Sequence, residues 1–480
     1  MLKEQEKYTV EITDLSDMGE GIGRIEEMEG MVVFVPEAIP GDIVQIEITK
    51  KKKSFAKGKV VEIVKPSSFR TEPFCPYWGE CGGCSLQIMS YEGQLALKKK
   101  WVTDRLVRIG GIEDPKVSDV IPMEEPYRYR NKAQFPVGRV RGAEKKERGC
   151  NLGFYRLKSH EVINCDSCLL QTEPAERIGQ VIRRYVKETK LPIYDPKTGT
   201  GVLRHVIVKT AFGTGEVMVI LVATERKLPA VEWLVEEICN TLENLSEEIN
   251  LSMGEKEDYG FYLESLILNV NKTKNQGVMD KVCITLAGKP TIKDYLSGME
   301  FEISPLSFYQ VNPIQTEKLY EKVKQYAALN GTETVLDLYC GVGTIGLTLA
   351  HQAKKVIGIE SVKAAVLDAN RNAVINGIVN AEFICGKAEE ELPKLLEQGV
   401  QADLVVLDPP RAGCSPELLE AVAEAGPPRI VYVSCDPATL ARDVKLLTQK
   451  GYRFVEAQPV DMFPWVGHVE CVTLMSRVEE

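Results

Sequence analysis

The chain has 480 residues, 44% of them hydrophobic, and a formal charge of −10 at pH 7. That length and apolar content can bury substantial cores, which excludes disorder as the default and makes two or three domains the expectation. The acidic balance excludes a surface coated uniformly for phosphate, so any nucleic-acid contact must come from local clusters of Lys and Arg.

Met1 to Tyr8 is charged and lacks the apolar run of an export signal, and no later segment approaches the length needed to span a bilayer. A cytoplasmic protein without membrane attachment is therefore expected. Thirteen cysteines in a chain of this kind point to free thiols, metal ligation or catalysis rather than to a disulfide framework.

Residues 1–66 alternate apolar and polar positions over short runs such as Val32–Val35 and Ile43–Ile48, separated by turns at Gly19, Gly21, Gly23, Pro40 and Gly41. This is the pattern of a small β-barrel. Lys50 to Lys53, with Lys57 and Lys59, place six lysines on one hairpin, which reads as a nucleic-acid contact or as a soluble edge strand. The segment is similar to a TRAM domain, a small barrel often appended to RNA-modifying enzymes.

Residues 67–305 read as a second, mixed α/β domain that follows a linker at Lys65–Ser68. Cys75, Cys81 and Cys84 have five and two residues between them. A helix is expected over 94–111, because Leu95, Val102, Leu106 and Ile109 recur at helical spacing and Gly110-Gly111 stops it; it is expected to pack on the catalytic domain. Between Tyr127 and His160, ten basic residues (Arg128, Arg130, Lys132, Arg139, Arg141, Lys145, Lys146, Arg148, Arg156, Lys158) face two acidic ones, Glu144 and Glu147. Tyr127, Tyr129, Phe135, Phe154 and Tyr155 interleave with them, a combination that grips phosphate and offers faces for base stacking. A solvated charged hairpin is the equal alternative. Strands are expected at Val202–Thr210, Val217–Ala223 and Ser265–Val270, and a helix at Ala175–Lys190. Cys165 or Cys168 must complete any four-thiolate site, and the five-then-two spacing suits an iron–sulfur cluster at least as well as zinc.

Residues 306–480 alternate short β-branched runs, Thr334–Tyr339, Lys355–Glu360, Ala381–Ile384, Ala402–Leu407 and Arg429–Ser434, with helical segments. That alternation predicts a parallel, doubly wound sheet. Strands near Arg453–Ala457 and His468–Leu474 follow without a long helix between them, which predicts an antiparallel edge hairpin as in class I methyltransferases.

In such a sheet ligands bind at the carboxyl ends of the strands, where a glycine turn admits them closely. The run Val335 to Gly343 supplies the turn, and Glu360 ends the second strand as an acid suited to a ribose diol, shared by S-adenosylmethionine and NAD. The fourth strand separates the two cofactors. It ends in Asp408-Pro409-Pro410-Arg411, a rigid turn whose carboxylate projects into the cleft where methyltransferases handle a target base. Arg411 is a structural clamp or a substrate contact. Cys435 closes the fifth strand in Val433–Pro437, and Glu470 lies on the last strand in His468-Val469-Glu470-Cys471. A thiolate added to carbon 6 of a pyrimidine creates an enolate that attacks an activated methyl, and a general base must then remove the proton on carbon 5. Cytosine carbon-5 enzymes usually carry their cysteine where this chain has Asp408, which weakens a cytosine reading.

With Ser307-Phe308-Tyr309-Gln310-Val311-Asn312, the Asp337–Gly343 loop, Glu360, Asp408–Gly413, Ser434–Pro437 and His468–Cys471, the chain resembles the RNA (uracil-5-)-methyltransferase family over nearly its full length. The resemblance implies an α/β class I, Rossmann-like methyltransferase domain behind the barrel and the mixed central domain. It makes Gln310, Tyr339, Glu360 and Asp408 the S-adenosylmethionine contacts, Cys435 the nucleophile and Glu470 the base, with Phe308 near a flipped uracil. It also implies a [4Fe-4S] cluster on Cys75, Cys81, Cys84 and Cys168, since Cys168-Leu169-Leu170-Gln171 fits the family pattern better than Cys165 does. Barrel and cluster accompany members that modify 23S ribosomal RNA, whereas members acting on transfer RNA commonly lack both. A 23S rRNA substrate is thus expected, the T-loop uridine of tRNA is the alternative, and a non-catalytic RNA-binding assembly factor ranks third; no obligate protein partner is expected. One departure is Thr344, where an asparagine often follows the glycine loop; it concerns a cofactor contact and not the reaction. His160, His205, His351 and His468 show no ligand spacing and read as ordinary, and Cys340, Cys414 and Cys471 read as core or turn residues.

Overall fold

Alternating inward and outward residues close the first five strands into a barrel. In the computed structural model, which describes residues 7–16, 18–140, 149–253, 260–273 and 277–478, β1 (Lys7–Leu15), β2 (Gly21–Ile25), β3 (Met31–Val35), β4 (Ile43–Lys51) and β5 (Phe55–Lys65) pair in the closed order β1-β2-β3-β5-β4. Val10, Ile12, Ile25, Val33, Val35, Val44 and Ile46 fill the interior. Lys50 to Lys53 are exposed around the tip of the β4–β5 hairpin, while Lys57 pairs with Glu20 and Lys59 with Glu47. Buried Asp42 fastens the barrel to the next segment, accepting from the Ser67 N–H at 2.8 Å and pairing with Arg70.

Helix α1 (Tyr91–Arg108) starts on Ser90, whose hydroxyl accepts from the Gly93 N–H. Its buried face carries Gln94, Leu97, Lys98, Trp101, Val102 and Leu106; Leu95 is half-buried and Ile109 is exposed. The stripe is rotated from the expected one because two of its buried positions are polar, and a search for apolar periodicity passes over them. Both find partners in the catalytic domain: Gln94 accepts from the Trp465 N–H, and Lys98 pairs with Asp461. Val102 and Leu106 join the catalytic core.

The central sheet contains β6 (Lys132–Arg139), β7 (Cys150–Tyr155), β8 (Val162–Asn164), β9 (Leu203–Thr210), β10 (Glu216–Ala223), β11 (Tyr262–Val270) and β12 (Cys283–Gly288), in the order β12-β11-β10-β9-β6-β7-β8. Helices α2 (Glu173–Thr189) and α3 (Val231–Met253) cover one face. The other face shares a core with the catalytic domain, so β10 is buried along its whole length. Among the described basic residues of the Tyr127–His160 stretch, several turn to protein partners: Arg128 to Glu176, Arg139 to Asp195, Arg156 to Glu80 and Lys158 to Glu20. Arg141, Lys145, Lys146 and Arg148, with Glu144 and Glu147, lie outside the described residues.

A hairpin of β13 (Ile292–Leu296) and β14 (Met299–Ile303) leads into the catalytic domain. There α4 (Pro313–Ala327), β15 (Thr334–Leu338), α5 (Thr344–Ala350), β16 (Lys355–Glu360), α6 (Lys363–Ile375), β17 (Ala381–Cys385), α7 (Ala388–Glu397), β18 (Leu404–Leu407), α8 (Pro416–Ala425), β19 (Arg429–Ser434), α9 (Pro437–Thr448), β20 (Tyr452–Val460) and β21 (Glu470–Arg477) follow in turn. Their sheet runs β17-β16-β15-β18-β19-β21-β20. The first five strands are parallel and β21 is antiparallel to both its neighbours. This is the class I methyltransferase topology, including the expected edge hairpin.

Candidate active site

The strand order reverses between β15 and β18, and the crevice that opens there at the carboxyl ends is the expected ligand position. After β15 the chain turns through Tyr339, Gly341 and Gly343, with φ of 66°, 57° and 83°, a path that glycine follows without steric cost. Glu360, ending β16, accepts the Gly341 N–H at 3.2 Å and, through its other oxygen, the Val362 N–H at 2.7 Å. The next glycine, Gly346 in the first turn of α5, has a packing reason. A side chain at Gly346 would sit 2.7 Å from the Asp337 carboxylate, which accepts the Gly346 N–H at 2.8 Å.

Gln310 arrives from another direction, just before α4, whose first turn is capped by Asn312. The Tyr320 hydroxyl of α4 meets the Thr344 hydroxyl at 2.6 Å and ties this helix to the glycine loop. Two residues of the central domain brace the segment that carries Gln310. Asn131 donates to the Gln310 carbonyl at 2.9 Å, and buried Lys209 donates to the Ser304 and Ser307 carbonyls at 2.8 and 3.2 Å. Burial brings the Lys209 ammonium down to about 7. Phe308 on this segment is 68% exposed, an unusual position for a large apolar ring.

Cys435 and Glu470 are brought together by sheet register. The antiparallel pairing of β19 with β21 ends at Ser434↔Cys471, so the next step outward sets Cys435 beside Glu470. Burial pushes the Cys435 thiol up to about 11, with the Glu470 charge adding to the rise and Arg411 working against it. Burial likewise raises Glu470 to about 8, helped by the charge of Asp408 and again opposed by Arg411. Asp408 and Asp337 are each raised to about 7 by burial, and Asp337 also by the Asp408 charge. Arg411 lies 3.2 Å from the His468 Nε2, and the His468 ring packs edge-on against Phe463. The crevice therefore gathers carboxylates that would gain from a positive ligand, a property suited to a sulfonium donor.

A second site lies between the barrel-side segment and the central sheet. Cys75, Cys81, Cys84, Cys165 and Cys168 line one cavity of about 150 Å³, walled by Phe74, Trp78, Phe154 and Leu170. Burial pushes Cys84 up to about 12 and Cys168 up to about 11. Among the described residues, no three His, Cys, Asp or Glu side chains converge closely enough to hold a metal ion. The thiols are gathered around one space without being drawn together.

A family profile described as tRNA (Uracil-5-)-methyltransferase matches residues 292–478, and the TRAM domain profile matches residues 2–61. An uncharacterized RNA methyltransferase of Clostridium acetobutylicum is 44% identical, covering 100% of this chain and 99% of its own. One from Caldanaerobacter subterraneus subsp. tengcongensis is 46% identical over 98% of each chain. The chain belongs to the RNA (uracil-5-)-methyltransferase family. Among solved structures, the Pyrococcus abyssi tRNA (uracil-54, C5)-methyltransferase in complex with S-adenosyl-L-homocysteine aligns with a TM-score of 0.72 and 29% identity. It covers 97% of this chain and 100% of its own.

Within this family member the residues singled out by sequence fall into three groups. Cys435, Glu470 and Asp408 stand close enough that the Glu470 and Asp408 charges raise Cys435 and the Asp408 charge raises Glu470. Glu360 anchors the glycine loop, and Gln310 approaches from the α4 side. Tyr339 contributes its backbone to that loop, but its ring packs against the catalytic core that Val102 and Leu106 join, and its phenol turns to the Cys414 thiol. Sequence reading gave no role to Asp337 beyond its motif, passed over Lys209, and singled out Arg411 as a clamp or substrate contact without its partner His468. Asp337 had a visible signal, an acid inside an apolar strand. Lys209 sits among hydrophobic residues of β9 and offered the same kind of hint. His468, read as ordinary, lies two residues from Glu470 and meets Arg411.

Proposed function

We propose that the cleft methylates carbon 5 of a uridine in 23S ribosomal RNA, with Cys435 as covalent nucleophile and Glu470 as general base. The observation that carries this reading is the β19–β21 register, which sets a thiol and a buried carboxyl side by side at the mouth of the methyltransferase crevice. Gln310, Glu360, Asp408 and the loop at Tyr339 would hold S-adenosylmethionine, which would supply an electrophilic methyl group there. The acid-rich crevice suits its positive charge, and the Pyrococcus enzyme is named as a complex with its demethylated product.

The Cys435 thiolate forms a bond to carbon 6, and the ring electrons move toward carbon 5 and the neighbouring carbonyl oxygen, making carbon 5 nucleophilic. Once carbon 5 carries the methyl group, the Glu470 carboxylate takes its proton. The electrons of that C–H bond restore the ring double bond and expel the Cys435 sulfur. Arg411 is the cation that opposes the raised values of both groups and so favours their ionised forms. A uracil must leave its stack to reach the cleft, and exposed Phe308 offers a ring face on the side of Gln310. Lys50 to Lys53 on the barrel supply phosphate contacts.

Cys75, Cys81, Cys84 and Cys168 would hold a [4Fe-4S] cluster in the cysteine cavity, which is thiol-rich, largely apolar and lined by four separate stretches of chain. Cys165 lines the same cavity. Protein purified without oxygen should be brown and contain about four irons per chain; colourless protein with a single zinc contradicts the cluster.

A second substrate reading has its own support. The Pyrococcus enzyme is named for uracil 54 of tRNA and aligns along 97% of this chain, barrel region included, so a barrel alone does not separate the two RNA classes. Mapping 5-methyluridine by mass spectrometry in cells with and without the protein decides. Loss from 23S rRNA supports the first reading, and loss confined to the tRNA T-loop replaces it with the second.

A further inference from the structure

Glu470 is the first residue of β21, so the connection from Val460 to Glu470 holds it on one side. Within that connection the Met462 and Val466 N–H groups donate to the Val460 and Phe463 carbonyls, and further bonds come from distant residues. Lys98, buried in α1, pairs with Asp461 at 2.6 Å and donates to the Phe463 carbonyl at 2.9 Å. The Tyr129 hydroxyl donates to the Pro464 carbonyl at 2.9 Å. Trp465 has φ of 68°, a conformation that a bulky residue keeps only when its surroundings enforce it. Ser85 attaches the turn at two points. Its N–H donates to the Trp465 carbonyl at 3.1 Å, and its hydroxyl accepts from the Gly467 N–H at 3.0 Å.

Ser85 is also held from behind. It directly follows Cys84, which lines the cysteine cavity. On the barrel side, Gly19 approaches it so closely that a side chain there would lie 2.6 Å from the Ser85 carbonyl oxygen. The Trp465 ring faces Phe74 and Tyr127 at centroid distances of 5.0 and 5.6 Å, closing the turn against the same segment. A residue wedged between barrel, cysteine segment and catalytic turn has little freedom, and it passes that constraint to the turn three residues before Glu470.

We infer that Ser85 is a positioning residue for proton abstraction: through its two bonds to the Trp465–Gly467 turn it fixes where the Glu470 carboxylate meets carbon 5. The inference rests on the reading of Glu470 as the base. It separates two steps of one reaction, because Cys435 is carried by the β19–α9 junction, outside this turn. Loosening the turn should slow release of the methylated adduct and leave its formation intact.

The test is a single-turnover reaction of the full-length protein with S-adenosylmethionine and RNA isolated from cells that lack it, following the covalent protein–RNA band on denaturing gels. Ser85→Ala should form the band at the wild-type rate and resolve it about 5- to 100-fold more slowly, as expected for a displaced catalytic group. Ser85→Gly, which loses the same hydroxyl bond to the Gly467 N–H, should do the same and serves if Ser85→Ala fails to fold, while Ser85→Thr, which keeps a hydroxyl, should resolve the band at close to the wild-type rate. Normal resolution in a folded variant overturns the inference, as does equal slowing of both steps. Glu470→Gln is run beside them. If it traps the band and Ser85→Ala does not, the positioning role falls while the base stands; if Glu470→Gln resolves normally, both fall.

Discussion

The catalytic crevice and the cysteine cavity both bury titratable groups, yet they are built in opposite ways. In the crevice, Cys435, Glu470, Asp408 and Glu360 each sit at the end of a strand or one step beyond it, and the sheet ladder sets their spacing before any ligand arrives. In the cavity, five thiols come from loops at Cys75–Cys84 and Cys165–Cys168, and none of these positions belongs to a strand or helix. A hydrogen-bonded sheet preorganises a site for chemistry, whereas loops bring thiols to one space without fixing their spacing.

The largest effect expected on the crevice side is from Cys435→Ala. Methylation should fall by at least about 10⁴-fold, as when a covalent nucleophile is removed, while RNA binding measured by filter retention stays intact. Glu470→Gln should lower turnover by about 10²- to 10⁴-fold. Its pH dependence sharpens the comparison. Glu470 accepts a proton only as a carboxylate, so with a value near 8 in the protein the rate of adduct resolution should climb as pH rises through about 8 and then level. The residual rate of Glu470→Gln should lack that rise.

The crevice is joined to the cavity side by Lys98 and Asp461, both fully buried. Lys98→Met leaves the Asp461 charge without its partner and should lower stability by about 3–5 kcal/mol in denaturant titrations. A change within experimental error would show that the two regions are less tightly joined than the geometry indicates. The smallest effect concerns neither site. Replacing Lys50 to Lys53 singly by Gln should weaken RNA binding slightly and reduce the slope of log affinity against log salt by about 0.7–0.9 for each phosphate that is no longer neutralised.

The same contrast explains what the sequence made legible. The doubly wound sheet, its antiparallel edge and the barrel follow from local periodicity, and the residues at strand ends follow with them, because a strand's last residue is placed by the strand. The rotated face of α1 was hidden, since Gln94 and Lys98 are buried only because Trp465 and Asp461, far along the chain, meet them. Ser85 carries no sequence signal for the same reason. The Tyr127–His160 basic run looked uniform, but several of its described cations are taken up by Glu176, Asp195, Glu80 and Glu20. Tyr339 matched a motif by position, while its ring goes to a pocket beside Cys414 that only the fold creates.

The most direct test of the account is to offer the protein RNA in which uridine is replaced by 5-fluorouridine, together with S-adenosylmethionine, and to sequence the cross-linked peptide by mass spectrometry. Fluorine on carbon 5 cannot leave as a proton, so the methylated adduct should persist, with the modified base bonded to the Cys435 sulfur. Absence of any adduct despite methylation of ordinary RNA, or attachment through a different cysteine, would contradict it.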